Sequence, residues 1–298
     1  MTSKSRAGRP PTDGLGGFLF ILPNLLGFLA FTLIPVIASL ALSFTDWDLL
    51  TPARFVGLDN FKALFTTDHD FCRYWGNTLF LMAGIPFAIV GSLMLAVALN
   101  AKLRGMVFFR TVYFLPTISA GIAIYVLWRW MYNPDVGIIN MMLARVGIHG
   151  PQWLSSIAWA KPALLIMSIW LGMGGTNTVL YLAALQGISP EIYEAAEIDG
   201  ASRWRQLWHV SWPLVTPTTF FILIMSVING FQGGFEAAYV MTNGGPAGAT
   251  TTVSFYIYRL AYEWYRMGYA AAVAWTLFVV VFVITLLNWR FGGRLVHY

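Results

Sequence analysis

The charges in this 298-residue chain are spaced so that six long stretches carry none. Residues 14–45, 74–101, 111–128, 162–190, 206–235 and 267–289 are each free of Asp, Glu, Lys and Arg. An ionised side chain at the centre of a bilayer costs about 2.5 to 3.5 kcal/mol on insertion scales, so such windows mark where a chain can cross a membrane. A crossing helix needs about 20 residues. The apolar parts of the windows predict helices over Leu15–Phe44, Leu79–Leu99, Val112–Met131, Leu164–Ala184, Thr218–Tyr239 and Met267–Trp289. A seventh charge-free window, 237–258, reads as a loop, because Asn243-Gly244-Gly245-Pro246 and the run Thr250–Thr252 interrupt it. Unbroken apolar character excludes an outer-membrane barrel, whose strands alternate with period two. The expected fold is all-α: a polytopic membrane protein with six transmembrane helices.

Composition closes the alternatives. Charged residues are 10% of the chain and AVILMFWYC 58%, whereas a soluble domain spends about 25% on charge. With one cysteine, Cys72, and a mean hydropathy of +0.66, a disordered chain, a disulfide scaffold and an ordinary cytosolic enzyme are all disfavoured. Lys4, Arg6 and Arg9 precede the first apolar run as in a signal peptide. That run far exceeds the roughly 7 to 15 residues of a secretory apolar region and reads as an uncleaved span.

Six spans put both ends on one side. Placing that side in the cytoplasm assigns it Lys4, Arg6, Arg9, Lys102, Arg104, Arg110, Arg203, Arg205, Arg290 and Arg294, ten of the 18 basic residues. The short 101–111 loop, with three basic and no acidic residues, is the cleanest local vote for a cytoplasmic location. The expected organisation is a cytoplasmic tail 1–14, a six-span domain 15–290 and a cytoplasmic tail 291–298. Trp47, Trp75, Trp130, Tyr132 and Trp289 sit near span ends, where interfacial aromatics anchor.

The connection between spans four and five, 187–213, has structure of its own. Ser189 suits an N-cap, Pro190 the first helical position, and Glu191 and Glu194 the positive end of a helix. Gly200 ends this short helix, and a second begins at Asp199 or Ser202, with Trp204, Leu207, Trp208 and Ser211 as its stripe. Ala195-Ala196 leaves a smooth patch for close backbone approach, with carboxylates beside it for a basic partner. Asp199 reads as a cap more than a contact, and an ordinary solvated helix face is the competing reading of Glu191, Glu194 and Glu197.

Glu194-Ala195-Ala196, three residues, Gly200, nine residues, then Val210-Ser211-Trp212-Pro213 resembles the EAA loop of bacterial ABC importer permeases. Val210 and Trp212 depart from the usual Ile-x-Leu-Pro ending. The likeness extends over nearly the whole chain, specifically to carbohydrate-type permeases like those of the maltose and glycerol-phosphate importers. It rests on Pro35, Ser39, Leu40 and Ser43-Phe44-Thr45-Asp46-Trp47, on Phe55-Val56-Gly57-Leu58-Asp59-Asn60-Phe61 with Asn77-Thr78, and on Asn133-Pro134-Asp135 with Gly137-Ile138-Ile139-Asn140. Tyr239–Thr242 with Gly244-Gly245-Pro246 adds to it.

The resemblance implies a permease subunit in the bacterial inner membrane. Its implied partners are a second, usually different, permease subunit, two cytoplasmic ATPases that hold ATP and Mg²⁺, an extracytoplasmic solute-binding protein, a sugar-like solute and the lipid bilayer, with no nucleic acid. It also implies that Glu194, Ala195, Ala196, Asp199 and Gly200 carry ATPase coupling. The chain itself has no G-x-x-x-x-G-K-[ST] segment to cradle a phosphate, so no cofactor is expected in it.

Polar residues within spans are candidates for the solute path. Asn229, Gln232 and Glu236 fall at i, i+3, i+7 on predicted span five, and Gly174, Asn177, Thr178 and Tyr181 share a face of span four. Amides, carboxylates and aromatic rings suit a sugar, but glycines and amides also serve helix packing. Glu236, near the outer end of span five, reads first as a hydrogen bond or ion pair steadying the following Gly-Gly-Pro loop. Pro23, Pro35, Pro86 and Pro116 predict kinks. The loops 45–77 and 132–161, holding Asp46, Asp48, Asp59, Asp68 and Asp70, are long enough to form small caps for a binding protein. A proton-driven carrier would need more intramembrane carboxylates or histidines than Glu236 alone. An integral-membrane enzyme is disfavoured because His69, His149, His209 and His297 have no metal-ligand spacing and Cys72 has no evident base.

Overall fold

A computed structural model describes residues 13–101, 105–118 and 121–292. The basic residues Lys4, Arg6, Arg9, Lys102, Arg104 and Arg294 lie outside the described residues, as do most of the two expected tails. In chain order the elements begin with α1 (Asp13–Phe28), a π-helical turn (Leu29–Leu33), α2 (Ile34–Ser43), β1 (Thr45–Asp46), β2 (Arg54–Phe55) and α3 (Asp59–Thr66). Next come α4 (His69–Met82), α5 (Ile85–Asn100), α6 (Met106–Ile118), α7 (Gly121–Met131), α8 (Ile138–Arg145), α9 (Ile157–Gly174) and α10 (Thr176–Gln186). The elbow follows: α11 (Pro190–Ile198), α12 (Arg203–Gln206), a π turn (Leu207–Ser211) and α13 (Trp212–Leu214). Last are α14 (Thr216–Gln232), α15 (Phe235–Ala237), a π turn (Ala238–Thr242), α16 (Val253–Tyr258), a π turn (Arg259–Glu263) and α17 (Met267–Gly292).

Among the described residues four helices are long and apolar enough to cross a membrane: Gly16–Ser43, His69–Asn100, Ile157–Gln186 and Met267–Arg290. A fifth is counted if Arg203–Leu214 and Thr216–Gln232, bent by 67°, form one span. The segment of the expected third span is helical as α6 and α7, with residues 119–120 between them outside the described residues, and its apolar stretch Met106–Leu115 is shorter than those four. The kink expected at Pro116 falls beside that gap. At Pro35, which lacks the N–H that an α-helix would bond, the backbone widens into the preceding π turn. At Pro86 the chain bends instead at Ala83 and Gly84, and α5 restarts with the proline in its first turn.

Two expectations are corrected. The predicted span Thr218–Tyr239 stops at Gln232, because Gly233 is extended (φ −75°, ψ −173°) and Gly234 is left-handed (φ +80°). The window 237–258 is a loop only over 243–252, since α15 with its π turn and α16 supply helix on either side. That loop coils tightly, with Asn243, Gly244, Ala247 and Gly248 all at positive φ.

α5 packs against α9 and α10, and α17 against α2. A Cβ on Gly172 would lie 2.7 Å from the Ala88 Cβ, so α9 and α5 approach at the distance that small residues allow in membrane bundles. Three apolar clusters hold the rest. Leu99, Leu185, Val215 and Ile222, with Met106 against them, join the ends of α5 and α10 to the starts of α14 and α6. This is the elbow end of the bundle. At the opposite, loop end, Leu64, Phe71, Phe231, Val253, Tyr256 and Tyr269 join α3, α4, α14, α16 and α17. Trp128, Tyr132, Trp153, Met167 and Met241 tie α7 to α9 and the segment after α15.

Polar side chains fix the loops. Asn60 donates its amide to the Ser43 and Thr45 carbonyls, both at 2.9 Å. Asn77 donates to Gly248 O at 3.0 Å and Thr251 O at 2.9 Å, and Trp153 Nε1 donates to Asn140 Oδ1 at 2.7 Å. Asp68 caps α4 through Phe71 N at 3.0 Å, and its other oxygen accepts the Tyr256 and Tyr269 hydroxyls at 2.7 Å each. Burial, then the hydrogen bond to Asp68, raises the Tyr256 hydroxyl above the ordinary tyrosine pKa.

Candidate functional site

Two places in the fold carry the candidate residues, the elbow and a cavity between the spans. In the elbow, Ser189 occupies the N-cap position of α11, but its hydroxyl donates to Glu191 Oε2 at 2.7 Å instead of capping the backbone. The helix ends as its glycine requires. Gly200 lies at φ +74°, its N–H bonds Glu197 O at 3.0 Å, and Ala201 N–H bonds Ala196 O at 2.9 Å. This paired closure satisfies the last carbonyls and needs a residue that tolerates left-handed backbone. Asp199 is the C-cap of α11. The second helix starts at Ser202, which accepts from Arg205 N–H at 3.4 Å, and not at Asp199.

The predicted stripe Trp204, Leu207, Trp208, Ser211 is divided by the structure. Leu207 and Ser211 are buried, while Trp204 and Trp208 are exposed. The π turn at Leu207–Ser211 breaks the 3.6-residue spacing on which the stripe was read. Trp204, Trp208 and Trp212 instead form a ladder with ring centroids 5.8 and 5.9 Å apart. The two arms are joined by a hydrogen bond of 2.9 Å between Tyr193 Oη and Ser211 Oγ. Glu194 and Ala195 are exposed and Ala196 is half-buried. Among the described residues neither Glu194 nor Glu197 forms an ion pair. Ile192 and Ile198 are also exposed, Ile198 to 87%, so the surface mixes free carboxylates with uncovered apolar area.

The cavity lies between α4, α5, α9, α10 and α14 and encloses about 380 Å³. The structure brings Asn177 and Asn229 together in its wall. It does not bring the others. Tyr181 is fully buried among Ile89, Leu93 and Val215, and its hydroxyl donates to Thr219 Oγ1 at 3.0 Å. It is therefore interhelical packing. Thr178 is equally buried, donating to the Met173 carbonyl. Gln232 is exposed but does not line the cavity. Glu236 cannot share a helical face with Asn229, because the chain breaks at Gly233-Gly234 between them.

Nor does Glu236 steady the following loop. Thr242 Oγ1 and Thr250 Oγ1 lie 2.6 Å apart, Thr250 donates to Gly245 O at 2.9 Å and Thr251 to Gly244 O at 3.1 Å, and those bonds hold it.

Sequence reading missed Tyr125, Ser168, Thr176 and Ser226, which also line the cavity. Part of the signal was present. Ser226, Asn229, Gly230 and Gly233 fall at i, i+3, i+4, i+7, and Ser168, Gly172 and Gly175 at i, i+4, i+7, both stripes of small and polar residues at helical spacing. Among the described residues no group of three or more His, Cys, Asp or Glu could hold a metal ion.

Residues 79–296 match the family described as "Binding-protein-dependent transport system inner membrane component". The chain is 38% identical over 303 residues to the "Probable ABC transporter permease protein YesP" of Bacillus subtilis (strain 168), covering 99% of this chain and 95% of the relative. It is 35% identical over 296 residues to the "Lactose transport system permease protein LacF" of Rhizobium radiobacter, covering 97% of each. A chain of a bacterial alginate ABC transporter, crystallised in complex with alginate pentasaccharide-bound periplasmic protein, superposes with a TM-score of 0.84 at 26% identity over 95% of both chains.

Proposed function

This chain belongs to the binding-protein-dependent transport system inner membrane component family, and on that premise we propose that its elbow and its cavity are the two working parts of an importer. The protein is a permease for sugar or polyol uptake and not an enzyme, as are the relatives it resembles. It forms part of the solute path. An extracytoplasmic binding protein delivers the cargo, a second permease subunit, different from this one, completes the path, and two ATPases on the far side of the membrane supply the energy.

The observation that carries this reading is the elbow: a closed helical turn whose Glu194 and Ala195 are exposed and whose carboxylates form no ion pair among the described residues. A short helix seated in a cleft of an ATPase passes closure of the nucleotide dimer to the spans as a rigid-body movement. Glu194, Ala195, Ala196 and Gly200 form the seat, and Asp199 ends its helix. The Tyr193–Ser211 bond makes the two arms move together, and the 67° bend at Val215 passes the motion into α14. The cavity, with Asn177 and Asn229 offering amides to hydroxyl groups, is the solute site.

Six spans, with α6 and α7 as the third and α14 to the π turn as the broken fifth, place both termini and the elbow 187–213 in the cytoplasm. Three facts support this. The ends of α5, α10 and the starts of α6 and α14 meet in one cluster. α17 starts at the opposite end, where Gly268 N–H bonds Trp47 O at 3.3 Å. The elbow side also carries Arg203 and Arg205. The domain is then 15–290 between short tails 1–14 and 291–298.

The test is uptake by the complete importer in proteoliposomes carrying Glu194→Ala or Gly200→Val. Uptake at least tenfold below wild type, with ATP hydrolysis either lost or uncoupled from cargo, is the expected result. Normal uptake in both variants overturns the coupling role.

A further inference from the structure

Among the described residues one carboxylate stands beside the cavity with no ion pair. Glu236 sits between Gly234 and Ala237, both of which line the cavity. A Cβ built on Gly121 would lie 3.3 Å from Glu236 Oε2 and 4.0 Å from Tyr125 Cε2, so the carboxylate shares the bare face of that glycine with the ring of Tyr125, itself a lining residue. Glu236 is exposed and forms no ion pair among the described residues.

Arg129, Lys161 and Arg259 are engaged elsewhere. Arg129 donates to Val240 O at 3.2 Å, Lys161 lies 5.6 Å over the Phe80 ring, and Arg259 pairs with Glu263 at 2.8 Å. Among the described residues no Lys, Arg or His lines the cavity, and the sequence from 111 to 128 carries no charge. An uncompensated carboxylate between spans is costly to keep and marks function by default.

We propose that Glu236 is a specificity-determining residue at the cavity mouth, and that it restricts the cargo to uncharged or ammonium-bearing saccharides, rejecting uronates and phosphate esters. The inference rests on the reading of the cavity as the solute site. The amides of Asn177 and Asn229 hold hydroxyl groups whatever the charge of the sugar, so discrimination by charge falls to the carboxylate. At the effective dielectric of about 20 that suits a pair near a protein surface, two like charges within about 10 Å of each other repel strongly enough to change affinity by about tenfold.

The experiment measures binding of glucose, glucosamine and glucuronate to the complete importer by saturation-transfer NMR, with the binding protein left out so that its own selectivity does not enter. The wild type is expected to bind glucosamine at least as tightly as glucose, and glucuronate at least about tenfold more weakly. Glu236→Gln should bring the three within about threefold, and Glu236→Lys should reverse the order. Equal binding of glucose and glucuronate by the wild type, or discrimination unchanged in Glu236→Gln, overturns the proposal while leaving the cavity reading intact. Failure of all three sugars to bind overturns both. Loss of co-elution of the subunits in both variants would make Glu236 an interface residue and also overturns the proposal, and the wild-type order tests it without either variant.

Discussion

The connections before and after α14, the elbow 187–213 and the 243–252 loop, are finished in opposite ways. The 243–252 loop buries Ala249, Thr250, Thr251 and Thr252 to 2% exposure or less, Asn77 and its own threonines bond its backbone, and Thr78 accepts the Val253 N–H just after it. It even holds Asn243 and Ala247 at positive φ, a cost that persists only where surrounding contacts over-determine the backbone. The elbow closes on itself with the Gly200 turn and the Tyr193–Ser211 bond and leaves Ile192, Ile198, Trp204 and Trp208 uncovered. One connection is finished within the chain. The other is finished only by something else. Substitutions in the first should therefore cost stability, and those in the second should cost work.

The largest loss of stability is expected from Asp68→Ala at the loop end, which removes the cap of α4 and strands two tyrosine hydroxyls. Thermal or denaturant unfolding in detergent should show a loss of about 3 to 5 kcal/mol. Asn77→Ala leaves the buried Thr251 carbonyl unpaired, while Gly248 O keeps the Thr251 N–H, and should cost about 2 to 3 kcal/mol in the same assay. Tyr181→Phe removes a single hydroxyl bond to Thr219 and should cost about 1 kcal/mol. It should leave cargo affinity unchanged, and a shift in affinity would return Tyr181 to the solute path. Glu194→Ala should move stability by about 0.5 kcal/mol or less while lowering uptake. If it unfolds the protein instead, the contrast between the two connections fails.

Much of this was legible in the sequence because bilayer energetics act on single charges. Leu15–Phe44 was read within two residues of the helix found, and Met267–Trp289 within three. The elbow was legible for a local reason, since Pro190 and Gly200 act through their own backbone angles. The break after Gln232 was not read, although Gly233-Gly234 was visible, because apolar content alone does not say whether a glycine pair is tolerated or used as a hinge. The cavity residues were partly legible. Asn177 and Asn229 point the same way in sequence and in space, but whether Tyr181 faces a path or a neighbouring helix is decided by Thr219, 38 residues away. The stripe through Trp204 and Leu207 failed because a π turn shifts the register, and no single residue announces it.

The central claim is that the elbow is covered by a separate ATPase, and labelling tests it most directly. In a background where the exposed Cys72 is replaced by serine, a cysteine is placed at Ala195, and its maleimide labelling is compared between the isolated chain and the assembled importer. Labelling that is fast in the isolated chain and suppressed at least tenfold on assembly, with no such change for a cysteine at the exposed Val146, is the predicted result. Equal labelling of Ala195→Cys in both states would contradict the account.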